Sequence, residues 1–153
     1  MIFMQKGLTE LIVILDKSGS MANFASDTID GFNQFMRAQS AQAGTTKVTT
    51  ILFDSRYKLL WEGIDSKQAV LTANEYVTGG RTALYDAIGR TITETNDRLS
   101  KIAAESKPEK VILLIMTDGE ENESKEYRLR ELKLLIELRK RDGWEFIFFG
   151  EEA

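Results

Sequence analysis

The chain has 153 residues, of which 42% are hydrophobic and 29% charged, a size and balance that suit one domain around one core. A net charge of −4 with a pI near 5.0 gives no basic surface for a phosphate backbone, which excludes nucleic acid as an expected partner. With no cysteine and no histidine, disulfides, thiolate catalysis, Cys/His zinc sites and Ser-His-Asp chemistry are excluded, and a bound metal must be a hard ion held by oxygen.

The first elements follow from apolar patterning. Leu8 to Leu15 is a near-continuous Leu and β-branched run, the pattern of a central parallel strand covered on both faces. The apolar stretch Leu11 to Leu15 is far shorter than the roughly 20 residues of a membrane span. Met1 to Gly7 lacks the features of a secretory signal, so the expected setting is cytoplasmic, with no membrane contact. The strand ends in the turn Asp16-Lys17-Ser18-Gly19-Ser20. Ile29, Phe32, Phe35 and Met36 then predict a helix over Ser26 to Ala43, ended by Gly44. Lys47 to Phe53 and Tyr57 to Ile64 read as strands, and the short Asp54-Ser55-Arg56 turn between them requires antiparallel pairing.

Asp65 to Thr78 is mixed, with a short helix expected around Ser66 to Leu71 and a loop beyond it. The Gly79-Gly80-Arg81-Thr82 turn leads into a long helix from Ala83 to Ala104, striped by Leu84, Ile88, Ile92, Leu99 and Ile102. Pro108 precedes a second central strand, Val111 to Met116, which runs into Thr117-Asp118-Gly119. Tyr127, Leu132, Leu135, Ile136 and Leu138 predict a third helix with Ser124 as its cap and Gly143 past its end, followed by a last strand from Trp144 to Phe149. The alternation predicts a three-layer α/β/α sandwich, mainly parallel with one antiparallel edge strand, as a single domain over residues 1–153.

Two strands that read as central thus end in aspartates, Asp16 and Asp118, and a third loop offers Thr82. Ligands of open α/β sheets bind outside the carboxyl ends of the strands, where strand order reverses. Ser18 and Ser20 are two apart, so both hydroxyls can face one side, with Gly19 letting the chain bend. Two carboxylates and three hydroxyls aimed at one place suit magnesium, with manganese or calcium as alternates. No Gly-x-x-x-x-Gly-Lys-Ser/Thr and no Gly-x-Gly-x-x-Gly loop occurs.

Asp16-x-Ser18-x-Ser20, with the later Thr82 and Asp118, resembles the metal-ion-dependent adhesion site of von Willebrand factor A domains, which have a Rossmann-like fold. Further wording agrees: Met21 after Ser20, Gly-x-Thr-x-Leu-x-x-Ala-Ile as Gly80 to Ile88, and Thr-Asp-Gly as Thr117 to Gly119. The resemblance implies that Ser18 and Ser20 ligate the ion directly, that Thr82 joins them in the state that grips a ligand, and that Asp16 and Asp118 act largely through water. It also implies that an Asp or Glu of a protein partner completes the site, as in integrins and many bacterial or phage intracellular members. Such domains usually continue with a sixth strand and a closing helix. That leads to the expectation that this chain lacks them, and that the strand Trp144 to Phe149 is covered by a second copy or belongs to a truncated form.

Neighbouring residues have plainer readings. Asp86 and Glu120 read as solvated charges or acceptors behind the ligands, and Arg81 as a surface arginine. Glu121, Glu123 and Glu126 read as the solvated start of the third helix. Phe32 and Phe35 read as core, with Phe24 close enough to the metal loop to form a rim. Functionally, a metal-dependent protein-interaction module with no catalytic residues leads. A metal-dependent hydrolase and an assembly scaffold with a vestigial metal site remain the alternatives.

Overall fold

The computed structural model of the protein describes residues 5–149, so the sequence readings of residues 1–4 and 150–153 lie outside the described residues. Five strands form one sheet: β1 (Gln5–Asp16), β2 (Thr45–Phe53), β3 (Tyr57–Asp65), β4 (Pro108–Met116) and β5 (Glu145–Phe149). Their order is β3-β2-β1-β4-β5. β1 pairs in parallel with β2 on one side and β4 on the other, β4 pairs in parallel with β5, and only the hairpin partner β3 is antiparallel. The sandwich read from the alternation of patterns is therefore the fold observed.

The two-residue period of the strands sorts their side chains into two cores. Ile12, Ile14, Leu113 and Ile115 face α2 (Leu84–Ser100) and α3 (Leu129–Arg141), which contribute Leu84, Ile88, Ile92 and Leu132. Leu11, Val13, Leu15, Ile112 and Leu114 face α1 (Ala25–Ser40), which contributes Phe32 and Met36. β1 and β4 are thus covered on both faces, as continuous apolar runs require. Among the described residues no helix is long and apolar enough to cross a membrane.

The boundaries of four helical elements differ from the sequence reading. The helix expected around Ser66 to Leu71 is only a 3-10 turn at Ser66–Gln68, and Asn33 takes the Leu71 backbone at both its N–H (2.8 Å) and its C=O (2.9 Å), groups a helix would have used. The first helix is preceded by a 3-10 segment, Gly19–Phe24, and ends at Ser40, short of Gly44, while α2 ends at Ser100 rather than Ala104. The third helix begins at Leu129, and Ser124 does not cap it. Residues 121–127 are instead drawn across the start of α2 by hydrogen bonds described below.

Candidate metal centre

The order β2-β1-β4 means that the chain leaves β1 toward one side first and toward the other later. β1 is therefore the strand at which the order reverses, and its carboxyl end opens a crevice. Asp16 is its last residue and is fully buried. One carboxylate oxygen accepts the Ser18 N–H (2.9 Å) and the other accepts the Thr117 hydroxyl (2.8 Å) from the end of β4. The Tyr76 hydroxyl donates to the Asp16 backbone carbonyl. Burial pushes the Asp16 carboxyl above its ordinary value; the hydrogen bonds from Ser18 and Thr117 oppose this, and the negative Asp118 nearby adds to it.

The loop after β1 is held on both sides. The Lys17 N–H donates to the Phe53 carbonyl (2.8 Å), the Gly79 N–H donates to the Lys17 carbonyl (2.8 Å), and the Gly19 N–H donates to the Gly80 carbonyl (2.9 Å). These bonds bring the Gly79-Gly80-Arg81-Thr82 turn beside Ser18 and Ser20. The Ser18 and Ser20 hydroxyls then lie 3.2 Å apart, facing one side as their spacing predicts. Ser18 and Thr82 are each 1% exposed, so little solvent competes for their hydroxyls. Asp118, half-buried, follows Thr117, whose hydroxyl also accepts the Gly119 N–H (3.0 Å), while Asp118 accepts the Glu120 N–H (3.1 Å). Oxygen is the only donor type in this group, which fits a hard divalent cation and no soft one.

Gly80 has φ +86°, and a Cβ there would stand 3.0 Å from a carboxylate oxygen of Asp54, so only glycine lets this turn close. Asp54 itself is a site residue that sequence reasoning passed over as hairpin polarity. It is 1% exposed, pairs with Lys17 (3.3 Å) and Arg56 (3.0 Å), and its backbone carbonyl accepts the Ala83 N–H (2.9 Å). Burial alone would raise its carboxyl, but the bonds from Arg56 and the charge of Lys17 outweigh that and hold it below its ordinary value. Its signal was weak: it follows Lys47 to Phe53, which read as an alternating strand of a hairpin rather than as a central strand.

The acidic segment after Asp118 is not a solvated helix start. Glu121 accepts the Tyr85 N–H (3.0 Å), the Ser124 N–H (2.9 Å) and the Ser124 hydroxyl. Ser124 in turn accepts the Asp86 N–H (3.0 Å), and the Asp86 carboxylate accepts the N–H groups of Lys125, Glu126 and Tyr127 at 2.8, 2.9 and 2.8 Å. The free amides at the start of α2 are thus capped from another loop. Asn122 completes the lock: its side chain accepts the Thr82 N–H (2.9 Å), while the Asn122 and Glu123 N–H groups donate to the Thr82 carbonyl (2.9 Å each). Arg81 is exposed, as expected, and pairs with Glu123 (2.6 Å). Glu120 and Glu126 are exposed, and Phe24 is half-buried beside the site.

The fold is shared with solved structures. The manganese-loaded TRAP protein of Plasmodium vivax superposes with a TM-score of 0.69 at 23% identity, over 96% of this chain and 59% of that one. VWA2, the ArnB paralog of Sulfolobus acidocaldarius, gives 0.56 at 20% identity, over 98% and 36%. Proximal thread matrix protein 1 from the mussel byssus gives 0.55 at 15%, over 94% and 35%. The chain therefore spans about three fifths or less of these proteins' chains. No curated protein matches the sequence. The profile of the von Willebrand factor type A domain matches residues 11–120, the stretch that runs from the first central strand through Thr82 to the residues after Asp118, and the chain belongs to that family.

Proposed function

We propose that this domain is a divalent-metal-dependent protein-interaction module, in which Asp16, Ser18, Ser20, Thr82 and Asp118 hold one magnesium-like ion and an Asp or Glu of a partner completes the site. The observation that carries the reading is the buried Asp16 carboxylate, tied to Thr117 across the sheet and to the Ser18 backbone, beside two hydroxyls 3.2 Å apart. A buried carboxylate with no cationic side chain on it is costly, and a cation offsets that cost. Asp54, close by, already has Lys17 and Arg56; Asp16 has neither.

When bound, the ion neutralises the two aspartates and offers an open position to an incoming carboxylate oxygen. The chain's own residues do the rest. Thr117 and the Ser18 amide fix the orientation of Asp16, Asn122 fixes Thr82, and the Gly79-Gly80 turn holds the Ser18-Ser20 loop in place. Such preset donors lose little freedom on binding. That the Plasmodium vivax TRAP structure is manganese-loaded agrees with an oxygen site of this type in the fold.

The test is a pull-down with the immobilised chain in magnesium and in EDTA, with Asp16→Ala as control. Proteins retained only by the intact chain in magnesium support the reading; equal retention in all three arms sinks it.

A further inference from the structure

We infer that the cavity beside Asp118 is a specificity pocket for one apolar side chain of the partner, adjacent or next-but-one to the acidic residue that meets the ion. This rests on the metal-dependent reading above and adds what the partner must carry beside its carboxylate. The cavity holds about 210 Å³. Sites for whole small molecules run to roughly 300–1,000 Å³, so this one is sized for a single side chain.

Its apolar walls come from three separate elements. Met21 and Phe24 lie on the 3-10 turn after the Ser18-Ser20 loop, Met116 is the last residue of β4, and Phe149 is the last of β5. Thr117 and Asp118 form the side shared with the candidate metal centre, so a segment that reaches the ion crosses the cavity mouth. Phe149 is 47% exposed and Phe24 half-buried, and an incoming apolar group releases water from both rings. Methionines on two walls adapt to leucine, methionine or phenylalanine without fixing one shape. In an extended segment each residue advances about 3.3 Å, so the side chains nearest the carboxylate are those within reach of a cavity that shares Asp118 with the candidate metal centre.

Charge narrows the partner further. Asp27 stands exposed on the rim, Asp118 forms a wall and Glu120 is exposed beyond it, while among the described residues no Lys or Arg lines the cavity. A run of acidic residues would meet repulsion here once the ion had taken the first. A single acid beside an apolar residue meets none.

The test uses blocked synthetic hexapeptides with one Asp, all other positions Ala, and one Ala replaced in turn by Leu, Met, Phe or Glu. Binding to the full chain is read by fluorescence polarisation in magnesium and in EDTA. The expected result is magnesium-dependent binding that Leu or Met strengthens about tenfold at one of the near offsets and Glu weakens. Phe24→Ala and Phe149→Ala should each reduce that gain while the all-Ala acidic peptide keeps its affinity and magnesium still raises the thermal midpoint. Magnesium-dependent binding with no apolar gain at any offset, or a gain untouched by both replacements, overturns the pocket and leaves the metal site standing. Binding that is equal in EDTA overturns the metal reading and the pocket with it.

Discussion

Asp54, Asp16 and Asp118 sit at the carboxyl ends of three neighbouring strands, β2, β1 and β4, and their surroundings give them different work. Asp54 is balanced within the protein. The Arg56 side chain and amide act on it first and the charge of Lys17 second, although solvent screens part of the bond to the exposed Arg56 guanidinium. Because its carboxyl is held below the ordinary value near 4, Asp54 contributes stability that is complete above about pH 4. That stability is lost as pH falls through the depressed folded value. Asp54→Asn should therefore cost about 1–3 kcal/mol at pH 7, and the gap to the parent should narrow as unfolding is followed below about pH 4. A gap that stays constant with pH would show that the charge is irrelevant. Asp16 is the opposite case, raised by burial with no cation beside it. If an ion supplies that cation, magnesium at a hundredfold its dissociation constant should stabilise the parent by about 2.7 kcal/mol. Asp16→Asn should show no such rise in a thermal melt; a rise equal to the parent's would remove Asp16 from the ligand set.

At the scale of elements, the start of α2 is the joint that links the Thr82 turn to the Asp118 loop. Gly89 lies on this helix, and a methyl group there would meet the Tyr127 ring at 2.5 Å, so the loop lies flat on α2 only because the helix has no side chain at that point. Gly89→Ala raises intrinsic helix propensity, yet overpacking should win and cost about 1–3 kcal/mol. The same change in a Tyr127→Ala background should be neutral or stabilising, and a double-mutant cycle by urea unfolding reads the difference. Additive effects would mean that the ring does not limit the helix. This joint also shows what the sequence discloses and what it withholds. β1 and β4 were readable because burial on both faces demands unbroken apolar runs, and Asp16, Ser18, Ser20, Thr82 and Asp118 were readable because each follows a strand or precedes a helix. Ser124 has the local look of a helix cap, but its hydroxyl accepts the Asp86 N–H and the Asp86 carboxylate takes the amides of Lys125, Glu126 and Tyr127, partners that lie 38 to 41 residues apart, with Asp86 on α2. Capping by a distant element leaves no periodic trace. Asn122 and Glu121 were missed for the same reason.

Across the whole molecule, the two edges of the sheet are unlike. β3 is guarded: it carries Lys58, Glu62 and Asp65, and its register against β2 slips twice, which interrupts the straight ladder that another strand would need. β5 has one charge, Glu145, followed by Phe146, Ile147, Phe148 and Phe149, and among the described residues only β4 pairs with it. Phe148 is 61% exposed, as is Leu134 on α3, with Leu138 at 45%. A strand edge without a partner among the described residues and flanked by apolar side chains is a template for pairing, and the occupant nearest to hand in a solution of this 153-residue chain is a second copy. Two-fold pairing of β5 with β5 would extend one sheet across both molecules while leaving each Asp16 crevice at the carboxyl ends of its own strands. Sedimentation velocity over a wide concentration range should therefore show a concentration-dependent dimer, and Phe148→Lys should return it to monomer without lowering the thermal midpoint, since the replaced ring is mostly in solvent. Magnesium and EDTA should give the same dimer, because the edge holds none of the five candidate ligands. A single monomeric species at the highest concentration would reject this pairing, and a dimer that needs magnesium would move the contact from the edge to the Asp16 site.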